Sequence, residues 1–354
     1  MTKYNPLYNL SNSVINYLEE IAKMEGELLS IPHALNQSVS IQTLANIDAV
    51  HYSTKLEGNK LTIKEVTQAL QGGKSKIKTT RDLKEIINYS KARKLLDETA
   101  LKNKKLDSNL ILQVHDILMQ GIVVGKLKGH YRKAQNIIKD ASTGERVYMP
   151  PEFKDVPALM HDLIIWTEKS LAEKTSTLIV AATFHYRFVT IHPFMDGNGR
   201  VARLVTNYIL LRTNYTVGRY ASIEKQHEQD RKNYYLELKK LQAHNFYDIS
   251  DSINITTWIE YWLTRMHKTY KEALNRSRKI EPNDTDTMFM EPRLQKAVSL
   301  FRKHKKLKAS EYGLIMGVGR TQAVEDLNTL VEAGIIFKIG GGRSSVYQIK
   351  ESKK

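Results

Sequence analysis

Twelve residues, His192 to Arg203, read HPFMDGNGRVAR and gather most of the side-chain types that a phosphoryl-type transfer needs. Gly197 and Gly199 admit backbone conformations closed to other residues, so consecutive N–H groups there can converge into an anion-binding concavity. The helix expected after Gly199 turns its positive N-terminal end to the same spot. Arg200 and Arg203 stand three apart, share one helical face and carry planar guanidinium groups suited to phosphate. Asp196 supplies a hard carboxylate, the ligand type that Mg²⁺ takes beside phosphate oxygens. His192, just outside the cradle, can take a proton near neutral pH. Singly, a histidine before proline is ordinarily packed or capping, and a DGNG is ordinarily a turn. Together these positions describe a triphosphate and metal site with a general base beside it.

Helices must position these residues. Apolar side chains recur at helical spacing to about residue 275, among them Leu18, Ile21, Leu28 and Leu29, then Leu83, Ile86, Ile87, Leu95 and Leu96. Thr62-Ile63-Lys64-Glu65 is a capping box opening a helix through Leu70, which Gly72-Gly73 ends. The spacing predicts a long helix over 176–189 and another after Gly199 through Leu211. One stretch breaks the pattern: residues 129–153 form two short alternating runs about Ser142-Thr143-Gly144 and end in Pro150-Pro151, a hairpin signal. Residues 276–292 turn polar and carry two prolines, so a linker is expected there. Beyond it, helices over 294–301, 309–316 and 321–333 precede two strands about Gly340-Gly341-Gly342, the order of a winged helix-turn-helix.

Composition bounds the rest. With 354 residues, 41% hydrophobic and 26% charged, the chain is globular and has room for two or three domains. Cysteine is absent, which excludes disulfides, thiolate metal sites and cysteine nucleophiles. No apolar run approaches the roughly 18 residues of a membrane span, and MTKYNPLYNL lacks a signal-peptide core, so the cytoplasm is expected and a membrane partner is not. The 54 basic residues exceed the 38 acidic ones by 16. That excess fits a polyanionic partner or a lysine-rich solvated surface equally well.

The string HPFMDGNGRVAR resembles the signature HPFx[DE]GNGRxxR of Fic-domain proteins at every defined position, and the similarity extends over most of residues 1–275. It implies a mainly α fold: a Fic-type helical core with a small β-hairpin flap, followed by the winged helix-turn-helix. The domains expected are an N-terminal helical region at 1–100, the catalytic core at 101–275, the linker at 276–292 and the winged helix at 293–354. The activity implied is AMP transfer from ATP to a Ser, Thr or Tyr hydroxyl of a target protein and of the chain itself. His192 would then deprotonate the hydroxyl and Asp196 would hold Mg²⁺ on the α- and β-phosphates. Gly197, Asn198 and Gly199 would line the anion hole, Arg200 would bind phosphate, and Arg203 the γ-phosphate. Phe194 would anchor the loop by packing. Relatives that act as kinases depart from the GNGR portion, which is intact here.

Upstream, HYSTKLEGN at 51–59 places Ser53 and Glu57 four apart before Gly58, a residue suited to ending a helix. Alone this is a weak pattern. Beside the Fic motif it resembles the inhibitory [ST]xxxE[GN] sequence, which implies that Glu57 pairs bidentately with Arg203 in place of the γ-phosphate and leaves the enzyme off by default.

Weaker candidates remain. Tyr234-Tyr235 sits where relatives place an aromatic wall for adenine, although neighbouring tyrosines on a helix point different ways. Arg132 and Lys133 stand where they could contact target or phosphate, with solvated charges the favoured expectation, and His185 is expected as a packed core histidine. The 129–153 hairpin would align a target segment by strand addition. Residues 290–354 hold 13 basic and 6 acidic side chains, a net of +7, with Arg320, Thr321, Gln322 and Arg343 placed for DNA, while Glu325 and Asp326 on the same helix speak for a protein partner. A second copy of the chain is a further partner open to it. Two other activities stand beside AMP transfer: nucleotide sensing by a DNA-binding regulator, and removal of AMP with Glu57 positioning a water. The complete motif favours transfer.

Overall fold

Apolar residues at intervals of three and four give each helix one buried stripe, and the computed structural model places the helices where those stripes meet. It describes residues 4–31, 35–71, 80–123, 127–139, 144–242, 244–248, 253–279, 292–332, 335–340 and 345–349. In chain order the helices of the first stretch are α1 (Asn12–Ser30), α2 (Leu35–Leu56), α3 (Ile63–Leu70), α4 (Arg81–Leu101) and α5 (Ser108–Leu118). Strands β1 (Ile138–Lys139) and β2 (Arg146–Tyr148) follow, then α6 (Val156–Ala172), α7 (Thr177–Ile191), α8 (Asn198–Arg212), α9 (Ile223–Gln229), α10 (Arg231–Lys240) and α11 (Thr256–Lys279). The last elements are α12 (Pro292–His304), β3 (Lys306–Lys308), α13 (Ala309–Met316), α14 (Arg320–Glu332), β4 (Ile336–Ile339) and β5 (Val346–Ile349). Two compact units result: Met1–Ile31 with Gln42–Arg276, and Pro32–Ile41 with Ser277–Lys354.

The first unit is built round α7. Its sequence, TLIVAATFHYRFVTI, is apolar on nearly every face, and all of Leu178 to Ile191 is buried. Helices α6 and α8 pack on it, with α4 on α8 and α5 on α4. Trp258 and Trp262 of α11 are fully buried, and the Trp258 indole N–H donates to Ala182 O at 2.7 Å rather than going unpaired. The capping box expected at α3 is present, with Thr62 Oγ1 accepting from Glu65 N and Glu65 Oε2 from Thr62 N. Gly72-Gly73 lie outside the described residues.

Strands β1 and β2 pair antiparallel, Ile138 opposite Tyr148, with a register shift between Ile138 and Lys139. Of the expected turn, Ser142 and Thr143 lie outside the described residues, while Gly144 takes a φ of 71°. Arg132 corrects a sequence expectation. It is 3% exposed, not solvated, and donates to His192 O at 3.0 Å, to Ala134 O at 3.2 Å and to Pro151 O. The carbonyls that surround it come from three loops, and no sequence pattern announces them. Lys133 is exposed as expected.

The second unit sets α12, α13 and α14 against a three-stranded antiparallel sheet in the order β3-β5-β4. Phe301, Tyr312, Leu327, Leu330 and Tyr347 form its core. Strand β3 was not expected, because three residues, KLK, are too few to show alternation. Helix α11 runs through Lys279, so residues 276–279 are helical where a linker was expected, and 280–291 lie outside the described residues. Gly341 and Gly342 also lie outside them, as does Arg343. No helix among the described residues is long and apolar enough to cross a membrane.

Candidate active site

Helix α7 ends at His192, whose φ of 52° and ψ of 60° are left-handed and whose N–H donates to Phe188 O at 3.0 Å. Such a conformation is uncommon outside glycine and turns the side chain away from the helix course. The ring Nδ1 lies 3.2 Å from Val189 O. A carbonyl only accepts, so Nδ1 carries the proton and the Nε2 lone pair is left as the base. Burial lowers the His192 pKa to about 4, against the opposing pull of the Val189 hydrogen bond and the Glu57 charge. The imidazole is therefore neutral at pH 7.

The loop beyond it is held from inside. Phe194 is buried and stacks on His115 with ring centroids 3.7 Å apart. Asn198 Oδ1 accepts from Phe194 N at 2.9 Å while its Nδ2 donates to Phe194 O at 2.8 Å. The Asn198 side chain is thus spent on closing the loop, which leaves only its backbone for an anion hole. His115 Nδ1 accepts from Gly129 N at 3.0 Å, which leaves its Nε2 to donate to Asp196 O at 3.1 Å. Gly197, at a φ of 82°, is the N-cap of α8, and a Cβ there would come within 2.6 Å of Met119 Cε. No side chain caps that helix, so its first-turn N–H groups have no side-chain partner.

Asp196 takes three donors: Arg81 Nη2 at 2.7 Å on Oδ2, and Arg200 Nη2 at 3.0 Å with Gly197 N at 2.6 Å on Oδ1. Burial would raise its pKa, but the Arg200 and Arg81 charges hold it below the usual carboxylate value. Arg200 is 2% exposed, with Nη1 3.2 Å from Glu85 Oε1. In this structure Arg200 is tied to two carboxylates and does not line the cavity described below.

Helix α2 ends in a Schellman turn, Asn59 N bonding to Thr54 O at 3.1 Å and Gly58 N to Lys55 O at 3.0 Å, with Gly58 at a φ of 94°. Glu57 is the C-cap, where a negative charge meets the negative end of the helix dipole. Its compensation is Arg203. The fully buried guanidinium gives Nη2 to Glu57 Oε1 at 2.8 Å and to Ser53 O at 2.9 Å, and Nε to Ser53 Oγ at 2.8 Å. The expected bidentate pair is a single hydrogen bond here, with Nε and a second Nη2 contact going to Ser53. Burial works against both charges, yet Arg203 and Arg200 hold the Glu57 pKa below its ordinary value, and Glu57 holds that of Arg203 above. A Cβ at Gly199 would run into Glu57 Oε1, so the carboxylate lies against the first turn of α8, where an anion belongs.

Glu57, His192, Gly199, Arg203, Tyr234 and Tyr235 line one cavity of about 690 Å³, with Ile138 and Val147 of the hairpin on its wall. The two tyrosines point differently, as adjacent helical residues must. Tyr234 is buried, its hydroxyl 2.9 Å from Nε2 of the buried His185. Tyr235 is 43% exposed and its hydroxyl donates to Leu56 O at 3.1 Å, beside Arg231 Nη2 at 2.9 Å from the same carbonyl. Arg81, Glu85 and His115 escaped the sequence reading, since the loop residues they hold, Asp196 and Arg200, lie far along the chain.

The model of the Fic/DOC family matches residues 105–210, a span that holds the loop, His115, Arg132 and most of α8. The chain carries a Fic domain. It is 28% identical over 223 residues to a protein adenylyltransferase Fic of Nematostella vectensis, covering 62% of this chain and 48% of that one. A protein of the same name from Aedes aegypti is 30% identical over 197 residues, 54% of this chain and 36% of that one. The chain thus spans about half or less of the length of these curated relatives. A Fic family protein from Desulfovibrio desulfuricans superposes with a TM-score of 0.64 at 22% identity over 99% of this chain and 100% of the other, a likeness of fold. The Fic domain accounts for α5 to α8 and the hairpin, while Ser53 and Glu57 precede it.

Proposed function

We propose that the chain is an autoinhibited protein adenylyltransferase, moving AMP from ATP to a Ser, Thr or Tyr hydroxyl of a target protein and of itself. The observation that carries this is the meeting of His192, Gly199 and Arg203 on one cavity, with the Glu57 carboxylate lying where an anion is held. The hydroxyl gives its proton to His192 Nε2 as its oxygen attacks the α-phosphorus. The bond to the bridging oxygen breaks, pyrophosphate leaves, and AMP remains as a phosphate ester on the target. Positioning and charge neutralisation do most of the work in such transfers. The open first turn of α8 receives the phosphate charge, Arg203 takes the γ-phosphate once Glu57 leaves, and Tyr234 and Tyr235 wall the base. The hairpin offers backbone to the target segment.

Among the described residues no cluster of three metal-ligating side chains exists, and the Asp196 side chain is 36% exposed. Mg²⁺ fits such a donor set, because it commonly binds through one or two carboxylates with phosphate oxygens and water. Asp196 would hold it, and bound there it would neutralise charge on the phosphates.

For the second unit, the order helix, strand, helix, helix, strand, strand supports a winged helix-turn-helix. Exposed charges on α14 are Arg320, Glu325 and Glu332, a balance that favours a protein partner over phosphate backbones. The test of the proposal is α-labelled ATP. Protein-bound label in a Glu57→Gly variant that vanishes with His192→Ala supports transfer, while salt-sensitive DNA binding with no label in any variant overturns it.

A further inference from the structure

Four charges close a ring in the loop after His192. Arg81 Nη2 meets Asp196 Oδ2 at 2.7 Å, and Arg81 Nε meets Glu85 Oε1 at 3.1 Å. The same Glu85 oxygen lies 3.2 Å from Arg200 Nη1, whose Nη2 reaches Asp196 Oδ1 at 3.0 Å. Two cations and two anions cancel, so the carboxylate is neutralised by protein groups alone.

The ring has a fixed half and an open half. Arg200 and Glu85 have side chains 2% and 7% exposed, and Asn59 Nδ2 pins Glu85 Oε2 at 3.0 Å. The Arg81 side chain is 59% exposed and that of Asp196 36%. Arg81 is the first residue of α4, following the N-cap Thr80. A cation there faces the positive end of the helix dipole, so helix stability does not explain it. What explains it is the fork of the guanidinium, which spans Glu85 and Asp196 at once as an ammonium could not.

We propose that Arg81 is a latch on the metal carboxylate: a divalent cation reaches Asp196 by displacing the Arg81 guanidinium from Oδ2. The inference rests on the reading of Asp196 as the metal ligand and adds a second brake, separate from Glu57. Oδ1 is already engaged by Arg200 and Gly197 N, so Oδ2 is the oxygen that exchanges. An exposed ion pair of this kind sets a factor of about five on the competing equilibrium.

The experiment is a Mn²⁺ titration of the full chain followed by electron paramagnetic resonance, without nucleotide. Arg81→Gln is expected to bind Mn²⁺ about fivefold more tightly than wild type. Arg81→Lys, which keeps the charge and loses the fork, should fall between. Asp196→Ala should abolish the site in both backgrounds. Equal or weaker Mn²⁺ affinity in Arg81→Gln overturns the latch, and so does Mn²⁺ binding that survives Asp196→Ala or a failure of every variant to bind Mn²⁺. Label transfer from ATP, measured on the same variants in the Glu57→Gly background where transfer is released, separates the two claims. The Mn²⁺ shift without any transfer sinks adenylyl transfer and leaves the latch, and transfer without the shift sinks the latch alone.

Discussion

His192 combines three properties that a base needs: a fixed tautomer, a free Nε2 and a neutral ring at pH 7. Replacing it removes proton acceptance and little of the nucleotide site, since the cradle is α8 backbone and Arg203. In the Glu57→Gly background, His192→Ala is expected to lower label transfer by about 10²- to 10⁴-fold with ATP affinity nearly unchanged. A parallel loss of ATP affinity would remove His192 from the role of base. Its lowered pKa also fixes the pH profile. A base must be unprotonated to act, and burial keeps His192 so down to about pH 4. Transfer should therefore hold level from neutral pH to about pH 5 and decline only on approach to 4. An acid limb near 6.5 would mean that the ring is not buried in the active state. The motif residues were legible because their spacing is local. Arg132 was not, because its acceptors are backbone carbonyls at 134, 151 and 192.

Helix α2 gives a physical reason for Gly or Asn after Glu57 in the proposed inhibitory sequence. Gly58 occupies the left-handed C′ position of a Schellman turn, which those two residues enter most readily, and Glu57 is the cap that the turn presents to Arg203. Nothing crowds a Cβ at Gly58, so its conformation alone makes the demand. Gly58→Ala should strain the turn by about 1–2 kcal/mol, loosen Glu57 and raise transfer by up to about tenfold, whereas Gly58→Asn should leave it near wild type. Glu57→Gly removes the carboxylate outright. Misplacement of about 1 Å can cost about 10²-fold, so the gain expected is on the order of 10- to 10³-fold. Adding Arg203→Ala should erase it, because the freed arginine is the group that the gain depends on. Gel quantification of labelled protein reads all four variants, and a Glu57→Gly protein no more active than wild type would make the Ser53–Glu57 turn a helix end only.

At the scale of the whole chain, the sequence revealed helices better than it revealed what joins them. Apolar spacing marked α7 and α8 because each buries many residues at a fixed period. Strand β3 has three residues and offers no period, and the last turn of α11 is as polar as a linker, RSRK, although it is helical. The site itself joins residues 53, 57, 81, 85, 115 and 132 to the 192–203 loop, distances along the chain that local patterns do not encode. The second unit has its own core, in which Leu327 is fully buried among Phe301, Tyr312, Leu330 and Tyr347. Leu327→Ala should cost that core about 2–5 kcal/mol through lost burial and the cavity left behind. In a core of about 60 residues each kcal/mol moves the melting midpoint by about 4–8 °C, so a separate low transition should appear in calorimetry. None of the cavity residues about His192 and Arg203 belongs to this core, so ATP affinity and the Glu57→Gly gain should persist below the second transition. If Leu327→Ala instead moves one transition for the whole chain and lowers ATP affinity with it, the two cores fold as one and the second unit acts on the Fic domain as part of its scaffold.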